Sequence, residues 1–233
     1  MESYLKSLIG PRKNNQDKAY FQPMENGFVA CIADGVGGNN CGEIASDLSI
    51  QTFLGYWKSI QSPEELPNIL NQVHLDVVEF GVEHPECTGM ATTFTACYQV
   101  GANLYGIHIG DTRLAILRGN GIRQLTTSHN EAYSLVAKGV INLKEYNEHP
   151  KKNVLTSAIG AGKPLQIQSF DFEIQKGDRI LLSSDGFHDV FDKKELRDIS
   201  ISSPVLNQFG DSLTYEISLK TLTDNCTFLI VEI

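Results

Sequence analysis

Four short apolar runs in this chain each carry an aspartate at one end. FVACIA (28–33) runs into Asp34, LYGIHIG (104–110) into Asp111, and ILLSS (180–184) into Asp185, while Asp224 stands two residues before CTFLIVEI (226–233). Runs of this length and composition read as buried strands. A single Asp-Gly pair is a common turn, and Gly35, Gly37 and Gly38 let the chain bend sharply after the first run. Four such acids constrain the fold further. If their strands belong to one sheet system, the carboxylates gather in one place, where each raises the pKa of the others unless a cation offsets them.

The remaining chain is read around those strands. Residues 3–9 form a weak edge strand, broken by Gly10-Pro11, and a polar loop at 12–17 leads into a short strand from Asp17. Helical spacing of Ile44, Ala45, Leu48, Phe53, Leu54 and Trp57 predicts a helix from Gly42 to about Ile60. Ser62-Pro63-Glu64-Glu65 is a helix start, with a capping residue, a first-turn proline and acids near the positive end, predicting a second helix to about Val82. Residues 90–125 read as an antiparallel meander with strands at 90–99, 103–109, 112–118 and 122–125, the last turn being Gly119-Asn120-Gly121. Helical stretches are expected within 127–139 and 143–149, inside an irregular segment at 126–163 that reads as a candidate flap or lid. Strands follow at 165–174 and 179–184, then one or two helical turns at 192–199, a helix within 204–221 and the final strand.

With 233 residues, the chain has ample length for a sizeable core, and its net charge of −9 argues against nucleic acid or an anionic membrane as the main partner. No stretch approaches the roughly 18 apolar residues of a membrane helix, and the first residues lack the pattern of a signal peptide. The five cysteines at 31, 41, 87, 97 and 226 are widely spaced and include no Cys-x-x-Cys. That spacing argues against zinc and disulfide frameworks and predicts a reduced, cytoplasmic protein.

Oxygen ligands without a cysteine or histidine pair suit hard cations such as Mg²⁺ or Mn²⁺. Two such ions close together can activate a water and offset the charge of a phosphoryl transition state. Phosphate chemistry also needs an anion grip, and Arg12 supplies a planar fork for it. Among the six histidines, His108 reads as structural. His129 and His188 are candidates to assist proton transfer, and His74, His84 and His149 read as surface residues.

Six motifs occur in order: RKNNQD (12–17), ADGVGG (33–38), GMATT (89–93), GDTR (110–113), SSDGF (183–187) and TDNCT (223–227). Together they resemble the motifs of the metal-dependent protein phosphatases, the PPM or type 2C family, in its compact bacterial form. The resemblance implies an α+β fold: a β-sandwich of two antiparallel sheets with helices on both outer faces, spanning 1–233 as one catalytic domain. It implies removal of phosphate from phosphoserine and phosphothreonine with two Mn²⁺ or Mg²⁺ ions and a third, weaker one. Asp34 would bridge the two metals, the Gly35 carbonyl would ligate one, and Asp185 and Asp224 the other. Asp111 would help hold the third, sharing Asp185. Arg12 would bind the substrate phosphate, and Asp17 would act mostly through metal-bound water. The implied partners are phosphorylated proteins, the targets of a Ser/Thr kinase and the kinase itself, met by a monomer.

Two positions depart from that pattern. Gln16 stands where many relatives have Glu, which removes a charge near one metal. Val36 stands where animal relatives have a histidine that is a proposed proton donor; bacterial relatives often lack it too. Competing readings are a catalytically weak binding or regulatory module and a phosphatase for a small phosphoester. A nucleotide-binding reading fails because GVGG lacks the Lys-Ser/Thr of a P-loop, and SSDGF is not the kinase Asp-Phe-Gly.

Overall fold

The computed structural model of the chain describes residues 1–36, 41–162 and 164–233. Gly37 and Gly38, assigned above to the glycine turn, lie outside the described residues. Eleven strands form two antiparallel sheets among the described residues. One has the order β1 (Glu2–Leu8), β11 (Cys226–Glu232), β10 (Arg179–Ser183), β7 (Arg113–Arg118), β8 (Gly121–Gln124). The other runs β2 (Asp17–Met24), β3 (Gly27–Val36), β5 (Phe94–Val100), β6 (Asn103–Ile109), β9 (Gln168–Glu173), with the short β4 (Ala91–Thr92) paired to the end of β3.

Alternation along the strands explains why their sequences are apolar throughout. Successive side chains point to opposite faces, and here both faces are covered. Phe28, Ala30 and Ile32 of β3 face the opposite sheet, where they meet Leu114 and Ile116 of β7, Ile180 and Leu182 of β10, and Leu229 and Val231 of β11. Val29, Cys31 and Ala33 face outward, beneath α1 (Gly42–Trp57) and α2 (Leu66–Glu83). On the other side, Phe228, Ile230 and Leu181 pack under α6 (Lys193–Ser202) and α7 (Leu206–Ser218). The result is four layers, helix–sheet–sheet–helix, as the resemblance implies. Each fully buried Phe or Ile contributes about 1.5–3 kcal/mol of transfer free energy, so the three apolar layers fix the sandwich.

Several local expectations are corrected. The meander at 90–125 does not stay in one sheet: β5 and β6 pair in one, β7 and β8 in the other. The chain crosses at Gly110, whose φ of +101° only glycine adopts readily and whose added Cβ would lie 2.6 Å from the Thr93 side chain. The crossing carries Asp111 into the seam between the sheets. The second helix begins with a single 3-10 turn at Pro63–Glu65, where the Glu65 carboxylate accepts from the N–H groups of Gln61 and Ser62. The 192–199 stretch extends to a full helix, α6, because Asp192 and Glu195 cap each other's backbone N–H. His74 is not simply a surface residue, since its Nδ1 accepts the Gly160 N–H. His108 is structural, with Nδ1 on Thr95 and Nε2 donating to the Thr127 carbonyl.

The largest correction concerns the cysteines. Cys41 and Cys87 form a disulfide across a sequence separation of 46, while Cys31, Cys97 and Cys226 are free and buried. Cys41 immediately precedes α1, and Cys87 closes a 3-10 turn at Pro85–Cys87. Pairing cannot be read from two isolated positions, and the expectation of no disulfide does not hold for this pair. No helix among the described residues is long and apolar enough to cross a membrane. A Cys41→Ser/Cys87→Ser double variant should lose about 2–4 kcal/mol, lowering Tm by about 5–15 °C. Calorimetry with and without reductant checks this: the reductant should lower the wild-type Tm and leave the variant unmoved.

Candidate metal centre

The open end of the sandwich holds a cavity of about 230 Å³ lined by Arg12, Gln16, Asp34, Gly35, Val36, Asp111, Asn153, Leu155, Asp185 and Asp224. The four strand-end aspartates therefore share one space, with Arg12 on its wall. Among the described residues, no three His, Cys, Asp or Glu side chains stand close enough to form a compact ligand cage unaided. The aspartates face a common volume with room for water between them, which suits hard cations that retain part of their hydration.

Backbone bonds set each acid in place. Asp34 lies within β3 rather than beyond it, because β4 extends the pairing to Gly35 and Val36. Its N–H donates to Thr93 Oγ1 at 2.9 Å, and its carbonyl accepts from Thr92 Oγ1 at 2.8 Å and the Thr93 N–H at 2.9 Å. Gly35 is required by close approach, since an added Cβ would lie 2.2 Å from the Gly42 carbonyl oxygen at the start of α1. Asp185 opens the short α5 (Asp185–His188), directly after β10. Asp224 accepts a 2.5 Å ion pair from Arg12 Nη2 and a 2.8 Å bond from the Asn225 N–H.

Asp17 is placed differently from the other acids. It sits opposite Asp34 in the β2–β3 register, is buried, and does not line the cavity. Its Oδ2 accepts the Ser184 hydroxyl at 2.7 Å, and its Oδ1 has no hydrogen bond among the described residues. An orphaned buried carboxylate oxygen behind four more carboxylates fits a site completed by a cation and its waters.

The electrostatics point the same way. Burial pushes Asp34 well above the usual carboxylate range, and the charges of Asp17, Asp185, Asp111 and Asp224 push it further. Asp185 rises to about 8, from burial and then Asp111, Asp224, Asp189 and Asp17. Asp17 rises to about 6 through burial, opposed by the Ser184 hydroxyl. Asp111 also rises to about 6 through burial, held back by Arg113.

Sequence reasoning left several supporting groups without roles. Thr92 and Thr93 of GMATT hold Asp34, and Ser184 of SSDGF holds Asp17. Asn225 of TDNCT receives the Gln16 N–H and donates to the Ile9 and Asn14 carbonyls. Asp189, one turn after Asp185, is a sixth acid whose field reaches both Asp111 and Asp185, and its Oδ2 pairs with Lys152 at 2.6 Å. An Asp four residues after a strand-end Asp was its only sequence signal. No histidine lines the cavity among the described residues. His129 accepts the Gly110 N–H and packs at a tilt against His108, and His188 is half-buried.

The raised values fix the sign of a pH effect. Each acid binds its proton more tightly folded than unfolded, so the stabilisation is complete below about pH 4 and lost as pH rises through 6 and then 8. The chelated protein should therefore melt lower at pH 8 than at pH 5. Excess Mn²⁺ should raise Tm more at pH 8, and Asp185→Asn should flatten the chelated profile. Thermal scans across that range check it; a flat wild-type profile would contradict the assignment.

The comparisons with known proteins agree with this architecture. A family model described as "Protein phosphatase 2C" matches residues 6–222. The "Serine/threonine phosphatase stp" of Listeria welshimeri is 28% identical over 229 residues, covering 95% of this chain and 91% of that protein. The crystal structure of the serine/threonine phosphatase Stp1 from Staphylococcus aureus shares the fold with a TM-score of 0.92 at 24% identity, over 100% of this chain and 94% of that one. The catalytic domain of the serine/threonine protein phosphatase PstP, in complex with two manganese ions, aligns with a TM-score of 0.84 at 25% identity, over 99% of this chain and 97% of that one. A family match that takes in five of the six motifs, on a sandwich that brings four of the motif aspartates to one cavity, makes this chain a member of the protein phosphatase 2C family.

Proposed function

We propose that the protein is a metal-dependent phosphatase that hydrolyses phosphoserine and phosphothreonine in proteins. The observation that carries this reading is the convergence of Asp34, Asp111, Asp185 and Asp224 on one cavity that Arg12 also lines. The all-oxygen donor set and the elevated carboxyl pKa values support two Mn²⁺ or Mg²⁺ ions, held by Asp34, the Gly35 carbonyl, Asp185 and Asp224. Asp111 with Asp185 would hold a third. Asp34 as the shared ligand is supported by the reach of four neighbouring acids onto its charge. Bound there, the cations bring the pKa of coordinated water toward neutrality and offset phosphoryl charge.

The chain's own groups do the rest. Arg12 is exposed enough to leave Asp224 and take two phosphate oxygens with its planar fork. Asp17, fixed by Ser184, orients water from behind Asp34. Gln16 lines the wall and offers an amide rather than a charge. With Val36 at the end of β3 on the cavity wall and no imidazole there among the described residues, water is the proton source for the leaving alkoxide. The same proposal takes the whole chain, 1–233, as one catalytic domain with 126–163 as its flap. It extends to a monomeric, cytoplasmic enzyme whose partners are the targets of a Ser/Thr kinase, and the kinase itself.

A phosphothreonine peptide and p-nitrophenyl phosphate should both be hydrolysed in Mn²⁺ and spared in EDTA. A folded, Mn²⁺-supplied sample inert to both would favour a binding module instead, and turnover of only the small ester would favour a small-molecule phosphatase. Asp34→Asn should lower kcat/KM by more than about a hundredfold with the fold intact. Arg12→Ala should lower it by about 10–100-fold, chiefly through KM, as expected for lost charge-assisted bonds to phosphate. Steady-state kinetics with circular dichroism on each variant tests both.

A further inference from the structure

Beside the metal cavity lies a second, larger cleft of about 670 Å³. One wall comes from α3 (Glu131–Ala137), α4 (Leu143–Asn147) and Lys152, and the other from the α5–α6 segment. Tyr133 and Tyr146, packed edge to face, and Phe191 give it apolar surface. The two spaces adjoin. Lys152 lines the cleft and Asn153 the metal cavity, and Arg113 of the cleft follows Asp111 of the cavity by two residues. The Lys152–Asp189 ion pair belongs to the cleft, within the electrostatic reach of Asp111 and Asp185.

The charges of this cleft are unevenly satisfied. Asp189 is paired with Lys152, Glu195 is paired with Lys220, and Asp192 caps α6. The Arg113 side chain forms no hydrogen bond or ion pair among the described residues, and its Nε is buried without an acceptor. A buried guanidinium donor without a partner carries its desolvation cost uncompensated. Its charge lowers the carboxyl of Asp111, yet it makes no direct contact with it. Arg113 therefore brings an unpaired guanidinium to the wall of a cleft in which every acid already has a partner.

We propose that this cleft receives the substrate chain flanking the phosphorylated residue, and that Arg113 grips an anionic side chain there, a carboxylate or a second phosphate. The inference rests on the phosphoprotein phosphatase reading and names the substrate class of that same site. Arg113 lies at most about 7 Å along the backbone from Asp111, so the anionic residue belongs within a few positions of the phosphorylated one. Tyr133, Tyr146 and Phe191 supply apolar contact to the side chains between.

The test scans phosphothreonine peptides of otherwise neutral sequence, placing one Glu at each position from four before to four after the phosphothreonine. One position should raise kcat/KM by about 10-fold or more, mainly through KM, and Lys at that position should lower it. A non-hydrolysable phosphonate side chain at the same position distinguishes the sources: a gain above Glu marks a second phosphate, and parity marks a carboxylate. Arg113→Gln should bring the Glu-to-neutral ratio to near one, and Arg113→Lys should restore part of it, with circular dichroism as the check on folding. The scan on the unaltered protein already decides the matter without either variant. Equal turnover of all peptides, within about twofold, overturns this inference and leaves the phosphatase reading standing. Retained discrimination in a folded Arg113→Gln overturns the role of Arg113. No turnover of any phosphopeptide in Mn²⁺ overturns the phosphatase reading and this inference with it.

Discussion

Carboxylates that share a poorly solvated space repel one another, and the seam of this sandwich holds four on its cavity wall with a fifth, Asp17, behind them. Their backbones cannot retreat, because each is tied to a strand whose apolar residues are buried on both faces. Rigid strand packing thus sets unfavourable electrostatics at one end of the molecule. The supporting groups are arranged to hold that end together. Thr92 and Thr93 pin Asp34, Ser184 pins Asp17, and Asn225 ties the loop at residues 9–16 to the start of β11. A cation relieves what the fold itself cannot, which makes function and local stability parts of one balance.

Much of this was legible in the chain. Strands buried on both faces read as unbroken apolar runs, so FVACIA and CTFLIVEI announced themselves. The acids at their ends were visible because each stood next to such a run. Asp189 escaped because it follows by one helical turn rather than at a strand boundary. The crossing between sheets at Gly110 also escaped, since a local alternation pattern does not say which sheet a strand joins. The Cys41–Cys87 pair was illegible for the same reason: it is a meeting of distant segments, with no local trace. The second helix's 3-10 start and the full length of α6 were boundary matters, set by caps whose partners are side chains.

The two cavities at this end divide the work. The smaller is acidic and fixed by strands. The larger is bordered by short helices and by ion pairs such as Lys152–Asp189, groups more readily rearranged. Chemistry placed on strands and recognition placed on short helices is a division that leaves the first intact when the second varies.

The Arg12–Asp224 ion pair has a thermodynamic consequence. In this structure the residue assigned to phosphate and one assigned to metal occupy each other. A cation taking Asp224 frees the guanidinium, and a phosphate taking Arg12 frees the carboxylate. Each ligand thereby lowers the cost of binding the other, and linkage makes the two effects equal in free energy. The pair is a reciprocal coupling between metal loading and substrate affinity, in which a protein short of metal is also poor at holding phosphate.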